Sequence, residues 1–190
     1  MNFAARWHYE LSRVLLFLKK EELAIKELRE SLKLDPGFVL AHEALAFRYA
    51  AAGRSELAVG EFQNALSLAP DHAATWFNLG FVYHTQNDYE KAIAAFDKAV
   101  ELRPNIDRAW YGMGLAHRSL GQLTQAAKAL EKAGRLQPMN PHAWYELGMT
   151  YYALKRYDQV EEVIEYLNGF DPKMTMQLMR DTPERSAPAA

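Results

Sequence analysis

Histidines are the residues here whose chemistry has to be tested first, because six of them could in principle assemble a metal centre. His8 and His42 lie 34 residues apart, and His84 and His117 are separated by nearly the same interval. A zinc ion holds each ligand at ~2.1 Å, whereas packed helix axes run roughly 8–10 Å apart. If His8 and His42 sit at equivalent places on successive hairpins, one ion cannot bridge them. They are read instead as imidazoles replacing core aromatics. His84 and His117 could meet across an interface but have no third ligand. No metal site is expected.

Catalytic patterns are also missing. The chain has no nucleophile elbow, phosphate loop or paired-carboxylate signature. Gly112-Met113-Gly114 lies inside a predicted helix, and Glu21-Glu22 and Glu161-Glu162 read as solvated charges on helix faces. Cysteine is absent, which removes disulfides, thiolate ligands and a cysteine nucleophile. No enzyme activity and no cofactor are expected. The net charge of −2 comes with no basic block, so nucleic acid is not an expected partner. The apolar run Val14–Leu18 is too short for a signal core or a membrane span and is followed directly by charge. No membrane association is expected, and a cytoplasmic location is the default expectation.

The elements that would carry these side chains are set by a period. Pro36, Pro70, Pro104, Pro138 and Pro172 recur every 34 residues. With this proline as position 32, the repeats begin at Ala5, Val39, Ala73, Asp107 and Pro141. Position 4 is then His8, His42, Trp76, Trp110 and Trp144. Position 7 is Leu11, Leu45, Leu79, Met113 and Leu147, and position 8 is Ser12, Ala46, Gly80, Gly114 and Gly148. Position 11 is Leu15, Tyr49, Tyr83, His117 and Tyr151. Position 20 is Ala24, Ala58, Ala92, Ala126 and Val160, and position 24 is Leu28, Phe62, Phe96, Leu130 and Ile164. Position 27 is Ser31, Ala65, Ala99, Ala133 and Leu167.

Positions 4, 7, 8 and 11 form one helical stripe and positions 20, 24 and 27 another. Small residues at 8 and 20 allow two helices to cross closely. Gly53, Asn87 and Gly121, at position 15, suit a left-handed stop between them. Each unit is therefore a helical hairpin that buries its apolar faces by stacking on neighbours.

This pattern resembles the tetratricopeptide repeat, and Ala73–Ile106 matches it at every diagnostic position. The resemblance implies an all-α fold, a right-handed alpha-alpha superhelix of five hairpins at 5–38, 39–72, 73–106, 107–140 and 141–174. A short capping helix is expected over 173–180 and a disordered tail over 181–190.

The family's first helices line a concave groove, which leaves positions 2, 5, 9 and 12 facing it. The expected partner-binding set is Phe47, Phe77, Phe81, Tyr111, Tyr145, Met149 and Tyr152, with Arg108 and Arg118 pairing acidic flanks. Tyr, Phe, Met and Arg are the types that anchor interfaces. Repeats that clamp a chaperone's C-terminal carboxylate carry Lys at 5, Asn at 9, Asn at 6, and Lys at 2 with Arg at 6. Here those places hold Glu43, Phe47, Asn78, Arg108 and Gly112, so that specialised role is not expected.

The expected function is a non-enzymatic protein–protein interaction scaffold that holds a partner peptide or helix in an apolar, aromatic groove. Two other roles stay open: a self-associating structural protein, and the interaction module of a larger enzyme or complex. The first repeat bears on self-association. Position 3 is Ala41, Thr75, Ala109 and Ala143 in the later repeats but Trp7 in the first. Trp7, Val14 and Leu18 share a helix face. They form an apolar patch that mediates homo-oligomer formation or meets a preceding segment, unless Trp7 folds back over its own hairpin.

Overall fold

The computed structural model describes residues 2–183 and contains eleven helices among them, with no strand. The chain forms two compact units, Met1–Asn87 and Asp88–Ala190. The first holds α1 (Phe3–Phe17), α2 (Glu21–Leu34), α3 (Val39–Ala51), α4 (Ser55–Leu68) and α5 (Ala73–Thr85). The second holds α6 (Tyr89–Leu102), α7 (Asp107–Ser119), α8 (Leu123–Leu136), α9 (Pro141–Ala153), α10 (Tyr157–Asn168) and α11 (Pro172–Asp181).

In the α1–α2, α3–α4 and α7–α8 hairpins the crossing is as close as small residues permit. Ala24, Ala58 and Ala126 have no exposed surface. A Cβ added at Gly114 would lie 2.6 Å from Leu130 Cγ, inside contact distance. The aromatic and aliphatic side chains at position 24, Leu28, Phe62, Phe96 and Leu130, are each at most 1% exposed.

Each connection from a first to a second helix passes through one left-handed residue. Position 15 has φ of 57° at Lys19, 70° at Gly53, 61° at Asn87, 71° at Gly121 and 58° at Lys155. The next amide then reaches back to the position-11 carbonyl, as in Arg54 N to Tyr49 O at 2.8 Å and Arg156 N to Tyr151 O at 2.9 Å. Glycine and asparagine adopt this conformation readily, whereas lysine is strained in it. Lys19 and Lys155 therefore hold the turn because the helices on both sides demand it.

Consecutive hairpins are tied by a second recurring contact. The indole N–H of Trp76 donates to the Pro70 carbonyl at 2.7 Å, Trp110 to Pro104 at 2.8 Å and Trp144 to Pro138 at 3.0 Å. His42 Nε2 makes the equivalent bond to the Pro36 carbonyl at 3.0 Å. These tryptophans are half-buried rather than central, so their hydrogen bond matters alongside their packing. The proline removes an N–H that could not be satisfied in the turn, and its carbonyl becomes the acceptor.

His8 and His42 replace tryptophan as part of a pair. Nδ1 of His8 lies 2.6 Å from Glu27 Oε2, and Nδ1 of His42 lies 2.6 Å from Glu61 Oε2. Glu27 and Glu61 both stand at position 23, where the tryptophan-bearing repeats have Ala95, Ala129 and Val163. A neutral imidazole has one N–H, so donation to both the Pro36 carbonyl and the Glu61 carboxylate requires the charged ring. Its pKa is accordingly raised, chiefly by Glu61 and also by the Pro36 carbonyl, against the opposing effect of burial.

The C-terminal end differs in register from the sequence expectation. Pro172 is the first residue of α11, not the end of the fifth repeat, because Asp171 caps the helix by accepting from Met174 N at 2.9 Å. Asp181 belongs to α11, and Thr182 is fully buried with its hydroxyl donating to the Leu178 carbonyl at 2.7 Å. The expected tail therefore does not begin at Asp181; its remainder, 184–190, lies outside the described residues. Leu178 packs against bare Gly148 and joins the core of Leu147, Val163 and Leu167.

Two outcomes follow for stability. Lys155→Gly relieves roughly 1–2 kcal/mol of left-handed strain and adds about 0.5–1 kcal/mol of backbone entropy cost. The net gain of about 0.5–1 kcal/mol should appear as a higher urea midpoint. For His42, a folded pKa raised above the unfolded 6.5 gives stabilisation that is complete below pH 6.5 and is lost as pH rises through the folded value. Urea melts on either side of that window should show wild type losing more stability than Glu61→Gln as pH increases.

Candidate functional site

The first unit contains an open pocket of 440 Å³ between α3, α4 and α5. Phe47 and Phe81 line it while remaining 44% and 56% exposed, and Phe62 closes its base with no more than 1% exposed. Phe47 stands edge-on to Phe62, with ring centroids 5.5 Å apart. That contact holds Phe47 upright and leaves its other face open. Gly53, at the left-handed turn, keeps one rim free of side chain.

The rim is polar. Asn78, Ser55, Thr85 and Arg48 line it, the last reaching Glu21 Oε1 at 3.3 Å. The wall is apolar and aromatic, with a few hydrogen-bonding groups at its edge, the composition of a site that takes up an apolar side chain and orients the backbone carrying it. Asn78, Ser55 and Thr85 were not in the expected groove. They lie at positions 6, 17 and 13, off the 2-5-9-12 stripe.

Phe77 is half-buried on α5. Glu43, also at position 5, faces inward: its carboxylate accepts from the Thr75 hydroxyl and contacts His72 Nδ1. The Glu43 side chain is only 13% exposed, so it is a satisfied internal group.

The second unit treats its expected site residues differently. Tyr111, Tyr145, Met149 and Tyr152 are all half-buried and pack against the core around Leu147 and Leu178. The Tyr145 hydroxyl donates to Asp181 Oδ2 at 2.8 Å, so α11 occupies part of that face. Burial first, and the Asp181 carboxylate second, push the Tyr145 hydroxyl pKa up. Burial likewise raises Tyr111, with Glu146 adding to it. Arg118 is paired with Glu146 rather than projecting alone. Arg108 is exposed.

At the N-terminal face, Trp7 is 55% exposed, Val14 54% and Leu18 54%. Trp7 does not fold over its hairpin; its ring stands edge-on against His8 at 5.0 Å. Among the described residues no three His, Cys, Asp or Glu side chains converge in a metal-binding group, and no helix is long and apolar enough to cross a membrane.

The family model described as the cilia and flagella-associated protein 70 C-terminal domain, a tetratricopeptide-repeat model, matches residues 8–168. No curated protein matches the sequence. Solved structures do. The structure of MamA, residues 41 to the end, from Desulfovibrio magneticus RS-1 superposes with a TM-score of 0.80 at 24% identity, covering 95% of this chain and 98% of that one. YrrB, described as a TPR protein with an unusual peptide-binding site, gives 0.79 at 19% identity, covering 91% and 90%. PilF of Pseudomonas aeruginosa gives 0.75 at 24% identity, covering 96% and 86%. These likenesses establish a shared fold.

Exposure separates the two kinds of phenylalanine at the pocket. Phe62→Ala should cost about 3–5 kcal/mol through the cavity it leaves, whereas Phe81→Ser should change stability by within about 0.5 kcal/mol. Paired denaturant melts measure both, and a large loss at Phe81 would mean that its ring belongs to the core.

Proposed function

Because the chain belongs to the tetratricopeptide-repeat family of the cilia and flagella-associated protein 70 C-terminal domain, we propose that it is a non-enzymatic interaction scaffold whose main contact is the α3–α5 pocket. The observation that carries this reading is the open 440 Å³ pocket with Phe47 and Phe81 half out of the protein surface beside it. Exposed aromatic rings of this kind are stabilised when a partner covers them, and such rings dominate the energy of protein interfaces. YrrB, by its description, has a peptide-binding site on the same fold, which supports the same kind of use here.

The occupant is a protein segment presenting one large apolar side chain to the pocket. Its backbone passes the amide of Asn78 and the hydroxyls of Ser55 and Thr85. An amphipathic helix or an extended strand meets that requirement, with the anchor supplying affinity and the polar rim setting direction. Phe77 adds contact on the same helix. Arg108, Tyr111, Tyr145, Met149, Tyr152 and Arg118 form a secondary surface in the second unit, more committed to internal packing.

The test is fluorescence polarisation with peptides that each carry a central Phe or Leu, against matched peptides with Ser there. Wild type should bind the apolar series. Phe81→Asp and Phe47→Asp should each weaken binding by about 2 kcal/mol, roughly thirtyfold. Equal binding by wild type and both variants would place the contact elsewhere.

A further inference from the structure

The face of α1 that carries Trp7 has no equivalent in the later repeats. Position 3 of those repeats is small and closed over, with Ala41, Thr75, Ala109 and Ala143 at most 1% exposed; at position 10 Val82, Ala116 and Thr150 are at most 3% exposed, and Arg48, the exception, is half-buried and paired with Glu21. In the first repeat the same positions are Trp7 and Val14, each more than half exposed, flanked by Phe3 at 85%. A regular hairpin approaching this face would need a small residue where Trp7 stands. The surface is therefore not shaped to receive another repeat in the ordinary register.

It is shaped to receive itself. Phe3, Trp7, Val14 and Leu18 fall in one stripe of α1 and its cap, at spacings of four, seven and four residues, and Phe17, 87% exposed, stands at its edge. That order reads the same from either end. Two copies of α1 packed antiparallel about a twofold axis between residues 10 and 11 set Phe3 against the partner's Leu18 and Trp7 against the partner's Val14. An isologous contact requires this kind of self-complementary patch. Beside the axis, Glu10 and Arg13 form an exposed pair at 2.8 Å within one chain. Across the axis the same two charges can exchange partners without leaving either unmatched. The large side chains interdigitate at ordinary helix spacing, roughly 8–10 Å between axes.

We propose that the α1 face is a homodimer interface, formed by antiparallel α1–α1 packing of two copies of this chain. It is separate from the pocket at α3–α5, so a dimer presents two pockets.

Sedimentation equilibrium and oxidative cross-linking of the full chain test it. Wild type should show the dimer mass at high concentration, and Trp7→Glu should shift to the monomer mass with unchanged helical circular dichroism. The chain has no cysteine, so Glu10→Cys introduces a single thiol beside the axis, where two copies come within disulfide reach. It should cross-link to a covalent dimer, while Lys132→Cys, on an exposed site in the second unit, should not. A monomeric wild type at every concentration would overturn the proposal and leave the face to a different partner. So would a dimer unaffected by Trp7→Glu, or cross-linking no more efficient at residue 10 than at residue 132.

Discussion

A hydrogen bond from the position-4 side chain to the preceding proline carbonyl governs how each hairpin is placed after the last. It appears at Pro36–His42, Pro70–Trp76, Pro104–Trp110 and Pro138–Trp144. The proline stops the second helix and restricts the turn. The ring six residues later ties its carbonyl to the start of the next first helix. Once that connection is made, the small residues at positions 8 and 20 can bring the helices of each hairpin together. Which side chains reach the surface then depends on their position in the repeat. Phe81 is exposed and Leu79 buried on the same helix for this reason.

The first two repeats fill position 4 with different chemistry. A histidine is smaller than tryptophan and leaves room that a position-23 glutamate fills, so His8–Glu27 and His42–Glu61 replace Trp–Ala as units. The exchange preserves the link to the proline carbonyl at His42, and holding that link together with the Glu61 contact depends on protonation. A buried carboxylate opposite an apolar ring would be costly, and the repeats with tryptophan carry alanine or valine at position 23. The pairing is therefore a packing solution with an electrostatic consequence at His42.

The two units use their aromatic residues unequally. In the first, Phe47 and Phe81 border a pocket that no described residue fills. In the second, α11 lies on the last hairpin, Leu178 fills the space above Gly148, and Asp181 takes the Tyr145 hydroxyl. A terminal helix that seals apolar surface is what a stack of repeats requires at its end. Its effect here is to hold Tyr145 half-buried, with its hydroxyl bound to Asp181.

Much of this protein was legible in the residues alone. A 34-residue period, a proline per repeat and small residues at two fixed positions determined the helical hairpins, the close crossings and the left-handed turns at Gly53, Asn87 and Gly121. They did so because each is a local steric requirement that few residue types satisfy. The same left-handed turn at Lys19 and Lys155 was not legible, since lysine avoids that conformation unless flanking helices impose it. The His–Glu pairs could have been found by reading positions 4 and 23 together. Single-position patterning missed them because the two residues lie on different helices. What only the tertiary structure decided is how far each groove residue is already used. Period places Phe81 and Tyr145 on equivalent stripes, but exposure is a property of neighbours: among the described residues Phe81 stays 56% exposed, whereas α11 folds back onto Tyr145 through contacts that no repeat pattern encodes.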